Sequence, residues 1–228
     1  MKVVAVINGK GGVGKTTIST HVAVSAERLG LVTAVLDLDP QPSSTLWADS
    51  REASDTNPRP TVTPAQAARL PVYLKQAREQ QADLIIIDTP PRVEGAAPVA
   101  AEHADAILIP TPPKPLDIVA LPQTIQLVRA SRKPFFVVLN NAPVQGQEVA
   151  EAIATLTSAG IEVAPTVLHT RKAFYSHMQQ GRTAADCDPD GKAAAEARAL
   201  VLWLAERVGL LTSIQANALK AHGKQLDA

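Results

Sequence analysis

Residues 2–17 read KVVAVINGKGGVGKTT. Residues 2–8 are apolar except for Lys2 and Asn8. So continuous an apolar run suits a strand covered on both faces, as in a parallel sheet. The residues after it fit the phosphate-loop pattern Gly9-x-x-x-x-Gly14-Lys15-Thr16. Gly9, Gly11, Gly12 and Gly14 let backbone N–H groups turn inward on phosphate oxygens, with Val13 inside the same turn. A helix starting near Lys15 adds its positive dipole end, and Thr17 belongs to the same binding stretch. Lys15 is suited to the β- and γ-phosphates and Thr16 to Mg2+. The order strand, glycine loop, helix makes this match specific.

Outward from that stretch, short apolar runs alternate with helical segments. Strands are expected at 2–8, 32–37, 83–88, 106–110, 134–140 and 161–168. Helices are expected at 15–29, 72–81, about 96–103, 117–131, 147–159 and 191–208, with Gly30 and Gly160 closing two of them. This alternation predicts an α/β fold with a doubly wound, mostly parallel sheet flanked by helices. The stretch 50–71 has prolines at 58, 60, 64 and 71 and reads as an irregular surface excursion with one short strand at 61–63. PTPPKPLD at 110–117 fixes a rigid loop after a strand, at the sheet edge where such folds place ligands. One domain is expected over 1–210, followed by a tail, 211–228, helical over 212–226.

The 228 residues are 46% hydrophobic, and Lys+Arg and Asp+Glu balance at 22 each. A net charge of zero excludes a globally basic nucleic-acid binder, so any DNA contact needs a local patch or one made by joining subunits. The single cysteine, Cys187, excludes an internal disulfide and fits a reducing cytoplasm. Its setting, ADCDPDG, is acidic and discourages a reactive thiolate. The five histidines do not cluster, so no zinc site is expected. No apolar run approaches the roughly 20 residues of a membrane span.

Two acidic segments complete the candidate chemistry. DLIIID ends at Asp88, a carboxylate at the sheet's C-terminal edge that suits Mg2+. LDLDPQ carries Asp37 and Asp39, which point the same way on an extended chain. One suits the outer sphere of the metal and the other an attacking water.

GKGGVGKTT resembles the deviant Walker A box of the ParA/MinD family, in which an early lysine, here Lys10, is the signature residue. VLDLDPQPSSTLW resembles the family's first switch segment and DLIIIDTPP its Walker B and second switch. AILIPTPPKPLDI, VVLNN and LHTRKAFYSHMQQGRTAAD continue the likeness over roughly residues 2–208, most closely to the small, ParF-like ParA subgroup. The resemblance implies a P-loop ATPase using ATP and Mg2+ in a nucleotide-sandwich homodimer. Lys10 then reaches the phosphates across the dimer, Lys15 acts beside it, and Asp39 orients the attacking water. Thr16, Asp88 and Asp39 form the metal side, and Asn140 lies where relatives contact adenine. The absence of an Asn-Lys-x-Asp motif favours ATP over GTP. Slow intrinsic turnover is expected, because no glutamine stands in a convincing water-positioning role.

The implied partners are nonspecific DNA and a ParB- or ParG-like centromere-binding adaptor, with a nucleoid location and DNA partition as the function. Positioning of a protein cargo or a MinD-like membrane role are the alternatives, the latter weakened by a tail poor in large apolar residues. Lys114, Arg129, Arg132 and Lys133 form one candidate DNA-contacting group, and Arg171, Lys172 and Arg182 another. Gly9 departs from the glutamine or proline common in relatives, which is expected to loosen that corner of the loop.

Overall fold

In the computed structural model, which describes residues 1–54 and 58–211, the first apolar run forms strand β1, Lys2–Val6. Five more strands follow: β2 Thr33–Asp37, β3 Thr61–Pro64, β4 Leu84–Asp88, β5 Ala106–Thr111 and β6 Phe135–Leu139. They form one sheet in the order β3-β2-β4-β1-β5-β6, and every pairing is parallel. Because side chains alternate across a strand, each central strand feeds two cores. Ala5, Ile7, Ile85, Ile87 and Ile107 face one side, and Val4, Val6, Ile86 and Leu108 face the other. The largest fully buried side chains are all Ile or Leu, so the core is aliphatic.

Helix α1, Lys15–Arg28, leaves the glycine loop at Gly14 and ends before Gly30, whose φ of +84° suits glycine. It packs with α9, Lys192–Arg207, on one face of the sheet. The opposite face is covered by α3 Leu70–Glu79, α4 Ala96–His103, α6 Leu121–Ala130 and α7 Glu148–Ser158. Two shorter helices are α5 Pro115–Val119 and α8 Ala184–Cys187.

Three expectations need correction. The run 161–168 is no strand: one isolated bridge joins Val137 to Val163. Pro165, in the middle of that run, has no N–H to give a ladder. The segment still covers the outer edge of β6, since Ala164 and Leu168 donate to Val137 and Leu139 at 2.8 and 2.9 Å. The expected helix 117–131 is two, α5 and α6, because Pro122 cannot donate to the carbonyl one turn back. The stretch 50–71 is less irregular than its prolines suggest. An unexpected helix α2, Ser43–Glu52, runs into it, and α3 starts at Leu70 with Pro71 in its first turn, where a missing N–H does no harm.

The tail helix expected over 212–226 lies outside the described residues. Among the described residues no helix is long and apolar enough to cross a membrane.

Candidate nucleotide site

The register of the sheet gathers the site. Val6 of β1 pairs with Asp88 of β4, and Asp88 pairs with Asp37 of β2. The glycine loop therefore leaves β1 at the same edge where both aspartates end their strands. Asn8, the polar residue that closes the apolar run, is buried. Its amide donates to Pro110 O at 2.8 Å, and its Oδ1 accepts the Lys10 N–H at 2.9 Å. Gly12 and Gly14 take φ of +74° and +93°, conformations that turn the loop inward and that other residues rarely adopt. A Cβ on Gly14 would lie 2.2 Å from Asn140 Nδ2, so only glycine fits there.

The glycines of the loop are not equivalent. Gly11 is exposed at its tip, and its φ lies outside the positive region that Gly12 and Gly14 occupy. A Cβ on Gly11 would meet Pro91 Cβ at 3.6 Å, an ordinary contact. The protein's own packing therefore does not demand glycine at 11, in contrast to 14. What the missing side chain leaves open at Gly11 is the loop's approach from solvent, where a phosphate would come close to the backbone.

Lys15 is buried, and its Nζ donates to the Lys10 carbonyl at 3.1 Å. Burial lowers its pKa, while the charges of Asp88 and Asp39 act against that. An ammonium group short of water and held at the loop's open centre is well placed for a phosphate.

Thr16 donates to Asp88 Oδ2 at 2.7 Å. Ser44, on the first turn of α2, donates to the same oxygen at 2.7 Å. The other oxygen, Oδ1, is buried without a hydrogen bond, as is the Ser19 hydroxyl. Burial is the main cause that raises the Asp88 carboxyl to about 6, and the Ser44 and Thr16 hydroxyls oppose it, as more weakly does the nearby Ser19 hydroxyl, which falls short of hydrogen-bond geometry. Among the described residues no group of three or more His, Cys, Asp or Glu is gathered to hold a metal alone. A Mg2+ that shares nucleotide phosphates needs only one or two carboxylates. The unpaired Asp88 Oδ1 fits that need, with the Thr16 hydroxyl alongside.

Asp37 and Asp39 do different work. Asp37 is buried and accepts from Thr45 N and Oγ1 at 2.9 and 3.1 Å and from Asp39 N at 3.1 Å. It shapes the loop after β2 and is not free to face a ligand. Burial raises its pKa against those hydrogen bonds. Asp39 is half-buried, with Oδ1 accepting the Gln41 N–H at 2.9 Å.

Lys10 points to its own chain, forming an ion pair of 2.7 Å with Asp117 of α5. Asn140 holds the glycine loop itself, donating to Val13 O at 2.8 Å. Gly9 is not slack, contrary to expectation. Its N–H donates to Thr124 Oγ1 at 3.1 Å, and Val93 fills the place a side chain would take, 2.7 Å from an added Cβ. A cleft of about 370 Å³ opens beside it, lined by Lys10, Arg92, Val93, Glu94 and Gln123 among others. Of the basic candidates, Lys114, Arg129, Arg132, Lys172 and Arg182 are exposed and Lys133 half-exposed. Arg171 is bound to Glu196 Oε1 through Nε and a terminal nitrogen, at 2.9 and 2.7 Å.

Sequence reasoning missed Asn8, Ser44, Asp117 and Thr124. Asn8 had a signal, a polar residue ending a buried strand just before glycines. Ser44, Asp117 and Thr124 had none, since their partners lie far away along the chain.

Residues 4–184 match the CobQ/CobB/MinD/ParA nucleotide-binding domain. A maintenance of carboxysome distribution protein A from Gloeobacter kilaueensis is 34% identical over 217 residues, covering 86% of this chain and 93% of that protein. Protein ParA from Rhizobium radiobacter is 26% identical over 192 residues, covering 79% and 84% of the two chains. The septum site-determining protein MinD of Pyrococcus horikoshii OT3, solved with Mg-ADP, superposes with a TM-score of 0.72 at 15% identity, covering 92% of this chain and 98% of that one. The chain thus belongs to the CobQ/CobB/MinD/ParA nucleotide-binding family.

Proposed function

We propose that this chain is an ATPase that pairs with a second copy around ATP, binds DNA nonspecifically in that form, and partitions DNA with a centromere-binding adaptor. The observation that carries the reading is the 2.7 Å contact of Thr16 with Asp88 beside the buried Lys15. It joins the phosphate loop to a carboxylate in the arrangement a nucleotide and its cation need. The Mg-ADP bound to the MinD neighbour supports the same chemistry here.

Mg2+, when bound with ATP, neutralises charge on the transferring phosphate. The Thr16 hydroxyl and the Asp88 carboxylate would hold it, and the loop N–H groups, that of Gly11 included, would grip the phosphates together with Lys15. Asp39, at the rim, would orient the attacking water. Lys10 would reach the second copy's phosphates only after leaving Asp117, which ties stimulation of hydrolysis to pairing. Asn140 would act on the adenine side while bracing the loop.

A second reading is favoured by the relative that shares 34% identity, a protein named for carboxysome distribution. In that reading the engine is the same and the cargo is a protein body.

Phosphate release measured with and without DNA, and with the product of an adjacent small gene, tests the reading. Lys15→Ala should lose nucleotide binding. Asp39→Ala should bind ATP and pair but release no phosphate. A wild-type chain that never releases phosphate would leave a nucleotide-binding scaffold instead.

A further inference from the structure

Ser44 is fully buried and its hydroxyl sits 2.7 Å from Asp88 Oδ2, the oxygen that also takes the Thr16 hydroxyl. Two donors therefore crowd one carboxylate oxygen while the other, equally enclosed, takes no hydrogen bond of ordinary geometry, although the Ser19 hydroxyl lies near enough to Asp88 to favour its charged form. A buried oxygen left unpaired is unusual unless something else is meant to meet it. The two donors also differ. Thr16 belongs to the phosphate loop, and in the reading above its own oxygen would also serve the cation. Ser44 comes from α2, and its hydroxyl has no other hydrogen bond among the described residues, so it acts on Asp88 alone.

The neighbouring residue makes the placement firmer. Thr45 grips Asp37 through both its N–H and its hydroxyl. Asp37 and Asp88 are register partners on adjacent strands. Consecutive residues of one helical turn thus hold two aspartates side by side, and the backbone at Ser44 cannot move away without disturbing Thr45.

We propose that Ser44 is the positioning residue that fixes the plane of the Asp88 carboxylate, so that Oδ1 faces the cation's hydration shell. This rests on the Mg-nucleotide reading above. Thr16 alone leaves the carboxylate free to turn about its last side-chain bond. With Ser44 in place, both hydrogen bonds fall on one oxygen and the turn is stopped. Partners of this kind behind a metal-holding group change metal affinity by roughly 10- to 100-fold when removed.

The test is a Mg2+ titration of fluorescent ATP binding, on wild type, Ser44→Ala and Ser44→Cys, with a parallel measurement in EDTA. Cysteine fills similar space but donates weakly, so it serves if the alanine variant does not fold. The Mg2+ midpoint should rise about tenfold or more in either variant. Nucleotide affinity in EDTA should stay near wild type, and the ligand-free melting temperature should fall by no more than the loss of one hydrogen bond to a buried carboxylate accounts for. An unchanged Mg2+ midpoint in a folded variant overturns the assignment. So does an equal loss of affinity in EDTA, because Ser44 would then shape the loop and not the carboxylate. A wild-type chain that binds ATP in neither condition would overturn the nucleotide reading, and the role of Ser44 with it.

Discussion

Burial raises the Asp88 carboxyl to about 6 and lowers the His21 imidazole to about 4. His21 sits inside α1, where Nδ1 lies 2.8 Å from Thr17 O and Nε2 accepts the Ala184 N–H at 3.1 Å. Only the neutral ring can do both. The two shifts act on stability in opposite senses. Between pH 6.5 and 4 the unfolded chain carries a proton on His21 that the folded chain lacks, so acidification destabilises the fold by about 3 kcal/mol. Between pH 6 and 3.8 the folded chain carries a proton on Asp88 that the unfolded chain lacks, so acidification stabilises by about the same amount. In the ligand-free protein the two nearly cancel. Asp88→Asn should unmask His21: urea unfolding of that variant should lose about 3 kcal/mol from pH 6.5 to 4, against a flatter wild type. Shifted groups remote from Asp88, such as Asp186 and Glu196, are common to both proteins and drop out of the comparison. A variant as flat as wild type would mean that His21 titrates normally. At this scale the sequence was most readable where chemistry is local. Lys15 and Thr16 are set by spacing within one loop. Ser44, Asp117 and the bond from Asn140 to Val13 arise from folding distant segments together, which no local pattern encodes.

Helix α2 is held at both ends. Its first turn grips Asp88 and Asp37, and near its end the buried Arg51 binds Asp186 at 2.8 Å, Gly181 O at 2.9 Å and Arg59 O at 2.7 Å. The pair lowers the Asp186 carboxyl to about 2, although burial, the largest single influence on it, pushes the other way. Gly181 lies against this junction with φ +68°, and a Cβ there would fall 2.1 Å from Arg51 N. Gly30 has φ +84° but open space around it. The two glycines therefore separate backbone preference from collision. Gly30→Ala should cost about 1–2 kcal/mol, the left-handed conformation alone. Gly181→Ala should cost clearly more, because α2 must also move, and thermal melting of both variants reads the difference. Similar losses would show that α2 yields readily. Elements were legible in the sequence where an apolar run and a terminating glycine agreed, as in β1 and α1, or where the run closed on an aspartate and prolines, as in β4. They were misread where proline gave a mixed signal. Pro165 stopped a strand that its apolar neighbours suggested, Pro122 split a helix, and the prolines beyond residue 57 hid the end of α2.

The molecule has no net charge, with 22 basic and 22 acidic residues. A single copy offers few aligned cations to DNA, and Arg171 is already engaged by Glu196. Joining two copies around ATP would double the exposed cations on one assembly, with Lys114 and Arg132 as separate contacts at opposite ends of the α5–α6 segment. Retention of a random-sequence duplex should therefore require ATP, fail with ADP or no nucleotide, and fall steeply with salt. Arg132→Ala should weaken it while ATP binding stays intact, and Arg171→Ala should act mainly by loosening Glu196. Equal retention in all three nucleotide conditions would refute pairing as the DNA-binding event. The all-parallel sheet was foreseeable because strands buried on both faces read as continuous apolar runs. The order of its strands was not, since alternation fixes the number of crossovers and not their direction.

That order puts β4 between β1 and β2, bonded along both edges and covered on both faces. Asp88 therefore hangs from the part of the sheet with no edge to fray. Amide protons of residues 85–88 should exchange with deuterated solvent only when the entire chain opens. Those of α2, a single layer on the flank, should exchange through smaller openings. The cation side of the site would then pair an anchor released only by global opening with a helix released sooner, and exchange rates followed by mass spectrometry would show the two behaviours within one molecule.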